Sequence, residues 1–206
     1  MTSDKDFFRR VMGQFATGVT IATTRSQAGI AGLTVNSFTS ISLNPLLVMI
    51  CVDLHSQALP FFRESGIFAV NILTQEQEAL SNCFATSSDE RYNSFCHADY
   101  YQAATGSPIL TGTMGFIDAR ITAEYPGGDH AIFLGEVEAM GYNDQKVFLQ
   151  DVHRDWRTLL PTADAALSAS NHGQEEQAET LPLLYYNGEY HHLTKKYHHK
   201  HPDLAT

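Results

Sequence analysis

Between Gly32 and Pro45 the chain runs Gly-Leu-Thr-Val-Asn-Ser-Phe-Thr-Ser-Ile-Ser-Leu-Asn-Pro without one charged side chain. Its polar groups are small hydroxyls and amides interleaved with apolar residues, as in a segment lying half buried in a sheet. Such a segment gives its apolar side chains to a core and offers many hydrogen-bond donors and acceptors on the other side. A neutral, planar heteroaromatic ligand is the chemistry that this surface suits.

The neighbouring segments extend the β reading. Gly18 to Thr24 and Gly29 to Asn36 are β-branched runs around Arg25-Ser26-Gln27-Ala28, a hairpin pattern. Leu46 to Asp53 is a continuous apolar run, expected to be a strand buried on both faces. Phe68 to Leu73 is a short strand, followed by a helix from Thr74 to about Phe84 with Glu76 and Gln77 in its first turn. Met114 to Glu124 and Ala131 to Tyr142 flank Tyr-Pro-Gly-Gly-Asp as a strand pair, and Leu183 to Tyr186 and Tyr190 to Leu193 flank the strong hairpin signal Asn187-Gly188. Ahead of them, Phe7, Phe8, Val11, Met12 and Phe15 form the apolar stripe of an N-terminal helix that Gly18 can close. With no β-α-β alternation and no GxGxxG, the pattern predicts a mainly β domain over residues 1–206, a compact antiparallel barrel with a few peripheral helices.

A net charge of −10 argues against a nucleic-acid surface and requires any bound phosphate to be held by local amides and hydroxyls. No apolar run approaches the roughly 20 residues of a membrane span, and the N-terminus lacks the basic and apolar regions of a signal peptide, so the expected location is cytoplasmic. Cys51, Cys83 and Cys96 are widely and irregularly spaced, which reads as reduced core thiols rather than a disulfide frame or a metal site.

Taken in order, Phe15-Ala-Thr-Gly-Val-Thr20, the Gly32–Pro45 segment, Phe68-Ala-Val-Asn-Ile-Leu73, Leu80-Ser81 with Phe84-Ala85, Gly128-Asp-His130, Gly135-Glu-Val137 and Leu183-Leu-Tyr-Tyr186 resemble the short-chain flavin reductase family. The resemblance spans most of residues 5–142 and resumes near 181. It implies a split, Greek-key type β-barrel homodimer, an oxidoreductase that binds FMN or FAD and uses NADH or NADPH to deliver reduced flavin, often to a partner monooxygenase. Two other readings stay open: a tightly held FMN that reduces a ferric or corrinoid acceptor, and a flavin-binding module without turnover.

An isoalloxazine ring needs partners along its pyrimidine edge and one open face for the nicotinamide. Thr34, Val35, Asn36 and Ser37 resemble the ring-binding segment; Ser40 and Ser42 either continue it toward the ribityl chain or satisfy strand neighbours. Phosphate binding is expected at Cys51, Val52, Asp53, His55, Ser56 and Gln57, with a helix capped by Ser56 or starting at Pro60. Phe84 and Ala85 complete the expected cofactor contacts. Arg91 is either a phosphate or dimer contact or a solvated surface arginine. His130 is the catalytic expectation, a hydrogen-bond partner for the nicotinamide carboxamide or for charge developing on reduced flavin, with Asp129 orienting it.

Between Asn143 and Thr180 the chain departs from the family pattern. Phe148, Val152, Trp156, Leu159 and Leu160 predict an inserted amphipathic helix, followed by a flexible acidic stretch. Its readings are packing on the barrel or the second subunit, or a lid or oxygenase dock. The histidine-rich tail after Tyr190 lacks the ligand spacing of a built metal site.

Overall fold

The computed structural model describes residues 4–142, 145–148 and 180–193. Helix α1 (Asp4–Gly13) leads into β1 (Thr17–Gly18), the hairpin β2 (Thr20–Ser26) and β3 (Gly29–Val35), and the hairpin β4 (Thr39–Leu43) and β5 (Leu46–Asp53). Helix α2 (Leu59–Ser65) and β6 (Ile67–Ile72) precede α3 (Glu78–Ala85), α4 (Asp89–Ser94), and the short pair β7 (Tyr100–Gln102) and β8 (Pro108–Leu110). Two long strands, β9 (Gly115–Gly127) and β10 (His130–Tyr142), are followed by β11 (Gln145–Phe148), β12 (Leu183–Tyr186) and β13 (Glu189–His192).

The main sheet runs β3-β2-β6-β9-β10-β5-β4, with β11 also on β10. Every pairing in it is antiparallel, because hairpins and short returns make most of the connections. The expected mainly β, antiparallel architecture with peripheral helices is present, but among the described residues no ladder joins β3 to β4, so the sheet does not close into a barrel. Its main core holds Ile50, Val52, Phe62, Phe68, Val70 and Phe133, all essentially inaccessible, with α2 laid over one end. Each such side chain contributes about 1.5–3 kcal/mol through its removal from water. A second cluster of Val19, Ile21, Leu73, Phe84, Phe95, Leu110 and Leu183 joins α3 to the returning C-terminal hairpin.

Several local expectations change. On β5 only Val48, Ile50 and Val52 are buried and the residues between them are half-exposed, so it carries one buried face rather than two. A 3-10 turn, Gln75–Gln77, starts the helical segment after β6; Thr74 and Gln77 cap it reciprocally, and α3 follows. Helix α1 forms as its stripe predicts but buries none of its residues. The thiol reading is overturned for two cysteines: Cys83 and Cys96 form a disulfide, and only Cys51 is free. Their separation of 13 residues gave no pairing signal; the packing of α3 against the turn Phe95–His97 brings their Cα atoms to 6.1 Å. The helix expected over Phe148–Leu160, the acidic stretch after it and the histidine tail beyond residue 193 lie outside the described residues, apart from Phe148 at the end of β11. Among the described residues no helix is long and apolar enough to cross a membrane, and no cluster of histidine, cysteine or carboxylate side chains could hold a metal ion.

Candidate functional site

The last residues of β3 and the C-terminal hairpin meet in a pocket lined by Val19, Thr34, Asn36, Ala85, Tyr185 and Tyr190. Asn187 and Gly188 both adopt the positive φ that a tight two-residue hairpin requires, which folds β13 back on β12. Leu183 anchors β12: its N–H donates to the Leu73 carbonyl at 3.1 Å, and its own carbonyl accepts the Val19 N–H at 3.2 Å. Helix α3 closes another side. The Thr34 hydroxyl donates to the Ser81 carbonyl at 2.7 Å, and the Ser81 and Tyr190 hydroxyls lie 2.8 Å apart.

No lining residue carries a carboxylate, ammonium or guanidinium group. Thr17, opposite Tyr185 in the ladder, keeps a buried hydroxyl that has no hydrogen-bond partner among the described residues. The pocket encloses about 210 Å³, below the roughly 300–1,000 Å³ of a complete small-molecule site.

Beyond Asn36 the same segment reaches the end of β5. The Ser37 hydroxyl accepts the Cys51 N–H at 3.0 Å and lies 3.3 Å from the Cys51 carbonyl. At that end Asp53 stands opposite His130 in the β5–β10 ladder. The Asp53 carboxylate accepts the His55 N–H at 2.7 Å and sits 3.2 Å from the His55 ring. Asp129 holds Nδ1 of His130 at 2.7 Å, and its carbonyl accepts the Leu54 N–H at 3.0 Å. Both carboxyls are lowered from their ordinary value: Asp53 chiefly by the His55 backbone N–H, Asp129 chiefly by its hydrogen bond to His130. Two carboxylate–imidazole pairs thus stand side by side at one strand edge.

The structure distributes the predicted residues unevenly. Thr34, Asn36 and Ala85 line the pocket; Val35, Val52 and Phe84 are core residues behind it. Ser42 accepts the Asn44 N–H at 3.1 Å within the β4–β5 turn, and Ser40 is exposed on β4, so both lie outside the pocket lining. Ser56 does not cap α2; its hydroxyl accepts the Ala58 N–H at 3.3 Å and the helix starts at Leu59, next to Pro60. The amides of His55, Ser56, Ala58 and Leu59 are all engaged within this turn, which leaves the Gln57 N–H and the side chains as the donors there. Arg91 is not a solvated surface residue. It is buried, donates Nε to the Gly32 carbonyl at 2.9 Å and lies over the Tyr92 ring, while its Nη2 has no partner; burial lowers its pKa. Val19 and Tyr185 were not singled out as site residues in the sequence, although both lie inside the family-like segments Phe15–Thr20 and Leu183–Tyr186.

An open antiparallel sheet, with an uncharged pocket between β3 and the C-terminal hairpin and His130 at the start of β10, defines a mainly β protein. The flavin reductase like domain family matches residues 12–194, and the chain belongs to that family. It is 30% identical over 174 residues to the actinorhodin polyketide dimerase of Streptomyces coelicolor, covering 84% of this chain and 97% of that protein. It is 38% identical over 133 residues to the reductase subunit HsaB of a flavin-dependent monooxygenase from Rhodococcus jostii, covering 65% of this chain and 67% of that subunit. Among solved structures, the NADH:FAD oxidoreductase SgcE6 of Streptomyces globisporus, in complex with NAD and FAD fragments, superposes with a TM-score of 0.68 at 27% identity, covering 95% of this chain and 97% of that one.

Proposed function

We propose that this chain is an NAD(P)H:flavin oxidoreductase that passes hydride from a nicotinamide to FMN or FAD and supplies the reduced flavin to a partner monooxygenase. The observation that carries the reading is the uncharged pocket of Thr34, Asn36 and Tyr190 over Val19 and Ala85, in a chain of the flavin reductase like domain family. Neutral donors and acceptors suit the pyrimidine edge of an isoalloxazine, and apolar side chains suit its dimethylbenzene end. When bound, a flavin supplies the hydride-accepting chemistry.

The residues of the chain bind, orient and exclude water. Thr34 and Asn36 hold the ring edge, with the backbone of Val35 and Ser37 continuing that contact, and Ser37 fixes the segment to Cys51. The side chains of His55, Ser56 and Gln57, with the Gln57 N–H, hold the phosphate, since the amides of His55, Ser56, Ala58 and Leu59 are engaged. Asp129 occupies Nδ1 of His130, which leaves Nε2 for the nicotinamide carboxamide. The chain works as a homodimer of the split-barrel type, a reading supported by the apolar side chains exposed on α1 and β4.

Mixing the protein anaerobically with flavin and NADH or NADPH tests the reading by the bleaching of flavin absorbance at about 450 nm that reduction produces. Failure to bleach with either nucleotide refutes it. His130→Ala is expected to raise KM for the nicotinamide nucleotide about tenfold, the loss of one hydrogen bond of ~1.4 kcal/mol, while flavin affinity holds. Unchanged kinetics remove His130 from the site.

A further inference from the structure

We propose that Cys83 and Cys96 form a thiol–disulfide switch that sets the affinity of the pocket for flavin, an inference that rests on the flavin reading of the site. The bond ties α3 to the turn Phe95–His97. Helix α3 is the pocket wall: Ser81 holds Thr34 and Tyr190, and Ala85 lines the cavity two residues after Cys83. The turn on the other side is a conformation that three non-glycine residues rarely share, with φ of 51°, 53° and 51° at Phe95, Cys96 and His97. Left-handed backbone of this kind persists only where its surroundings over-determine it. Here the crosslink does so together with Phe95, which packs edge-on against Phe84 at 5.0 Å between ring centroids. Gly32 marks how closely that pair is seated: a Cβ there would stand 2.7 Å from the Phe84 ring and 3.3 Å from the Phe95 ring. Arg91 then holds the Gly32 carbonyl two residues before Thr34. Breaking the disulfide frees the turn to relax to extended backbone, withdraws Phe95 from Phe84, and loosens Ser81 and Ala85 at the pocket.

Cys83 is the more exposed partner and takes the incoming reagent. In the oxidising direction the Cys83 thiolate attacks a peroxide oxygen, the O–O bond breaks, and the expelled hydroxide takes the proton released by the thiol and leaves as water, with a sulfenic acid on Cys83. The Cys96 thiolate then attacks that sulfur, forming the S–S bond and expelling hydroxide, which takes the proton released by Cys96 and leaves as the second water. Hydrogen peroxide is the oxidant because reduced flavin that meets O2 instead of its acceptor generates it. In the reverse direction a dithiol attacks Cys83 Sγ, Cys96 leaves as a thiolate, and the second thiol of the dithiol closes its own disulfide, with two electrons passing to the protein.

The full-length chain, treated with hydrogen peroxide or with tris(2-carboxyethyl)phosphine, is titrated with FMN and with FAD, and the pairing is read by peptide mass spectrometry. Reduction is expected to raise the flavin Kd about tenfold, and Cys83→Ser/Cys96→Ser is expected to hold the weaker value whatever the treatment. Equal Kd in the two verified thiol states, or peroxide-treated protein in which Cys83 and Cys96 stay unpaired, overturns the switch alone. Absence of flavin binding in both states overturns the flavin site itself and the switch with it.

Discussion

Asp118 lies fully buried on β9, with its carboxylate accepting the Thr105 N–H at 2.7 Å on one oxygen and the Thr105 hydroxyl on the other. Burial raises its pKa, with a further upward push from Glu138, against the lowering effect of the Thr105 donors. The folded state therefore holds this proton more tightly than the unfolded chain does. Its contribution to stability is fully present below the ordinary carboxyl value and is lost as pH rises through the raised folded value. Asp118→Asn removes the titration, so the stability of the parent relative to this variant is expected to fall as pH rises from the ordinary carboxyl range through the raised folded value. Urea denaturation of both proteins across that range checks it, and a constant difference contradicts the assignment. The sequence offered only an aspartate inside a strand pattern. That both oxygens would be claimed by Thr105 depends on a return of the chain, as does the requirement for glycine at position 32, where a Cβ would meet the Phe84 ring.

At the scale of elements, the hairpin of β12 and β13 was legible because Asn-Gly is among the few pairs that accept positive φ at both central positions. Its place in the molecule was not. A hairpin signal says nothing of which surface it packs on, and here the Ser81–Tyr190 hydroxyl pair and the 2.7 Å contact of His192 with Glu78 set it against α3. Tyr190→Phe keeps the ring and removes the hydroxyl, with an expected loss of about 0.5–1.5 kcal/mol of stability and weaker flavin binding. Chemical denaturation and flavin titration of this variant read the two effects, and unaltered values in both would show that α3 and the hairpin do not depend on each other. The continuous apolar run of β5 misled for a related reason. Composition does not record whether a second layer covers a strand, and in this chain only the Val48–Ile50–Val52 face is covered.

At the scale of the whole molecule, large apolar side chains stay in water: Phe7, Phe8, Val11, Met12 and Phe15 on and just after α1, and Ile41 and Leu43 on β4, the last 84% exposed. An amphipathic helix that buries nothing and an edge strand with outward Ile and Leu are the surfaces that the proposed homodimer would cover. The chain is expected to sediment as a dimer, and Ile41→Glu/Leu43→Glu to shift it toward monomer by placing two carboxylates in the contact. A double variant that sediments as the parent does would place the interface elsewhere. The Cys83–Cys96 bond belongs to this scale as well, since it joins segments whose approach no spacing rule announces.

The sequence by itself determined the local alternation of strands, the hairpin turn at Asn187-Gly188, the uncharged character of the Thr34–Ser37 segment and the family, because these depend on backbone propensity and on side-chain chemistry carried within short windows. Tertiary structure alone decided that Thr34 and Asn36 share a pocket with Tyr185 and Tyr190, that Arg91 turns inward to Gly32, that Ser40 and Ser42 stand apart, and that two distant cysteines bond. Each of these depends on how segments separated in the chain come together or stay apart. The packing of the core fixes such contacts, and a periodicity of two or of 3.6 residues does not encode them.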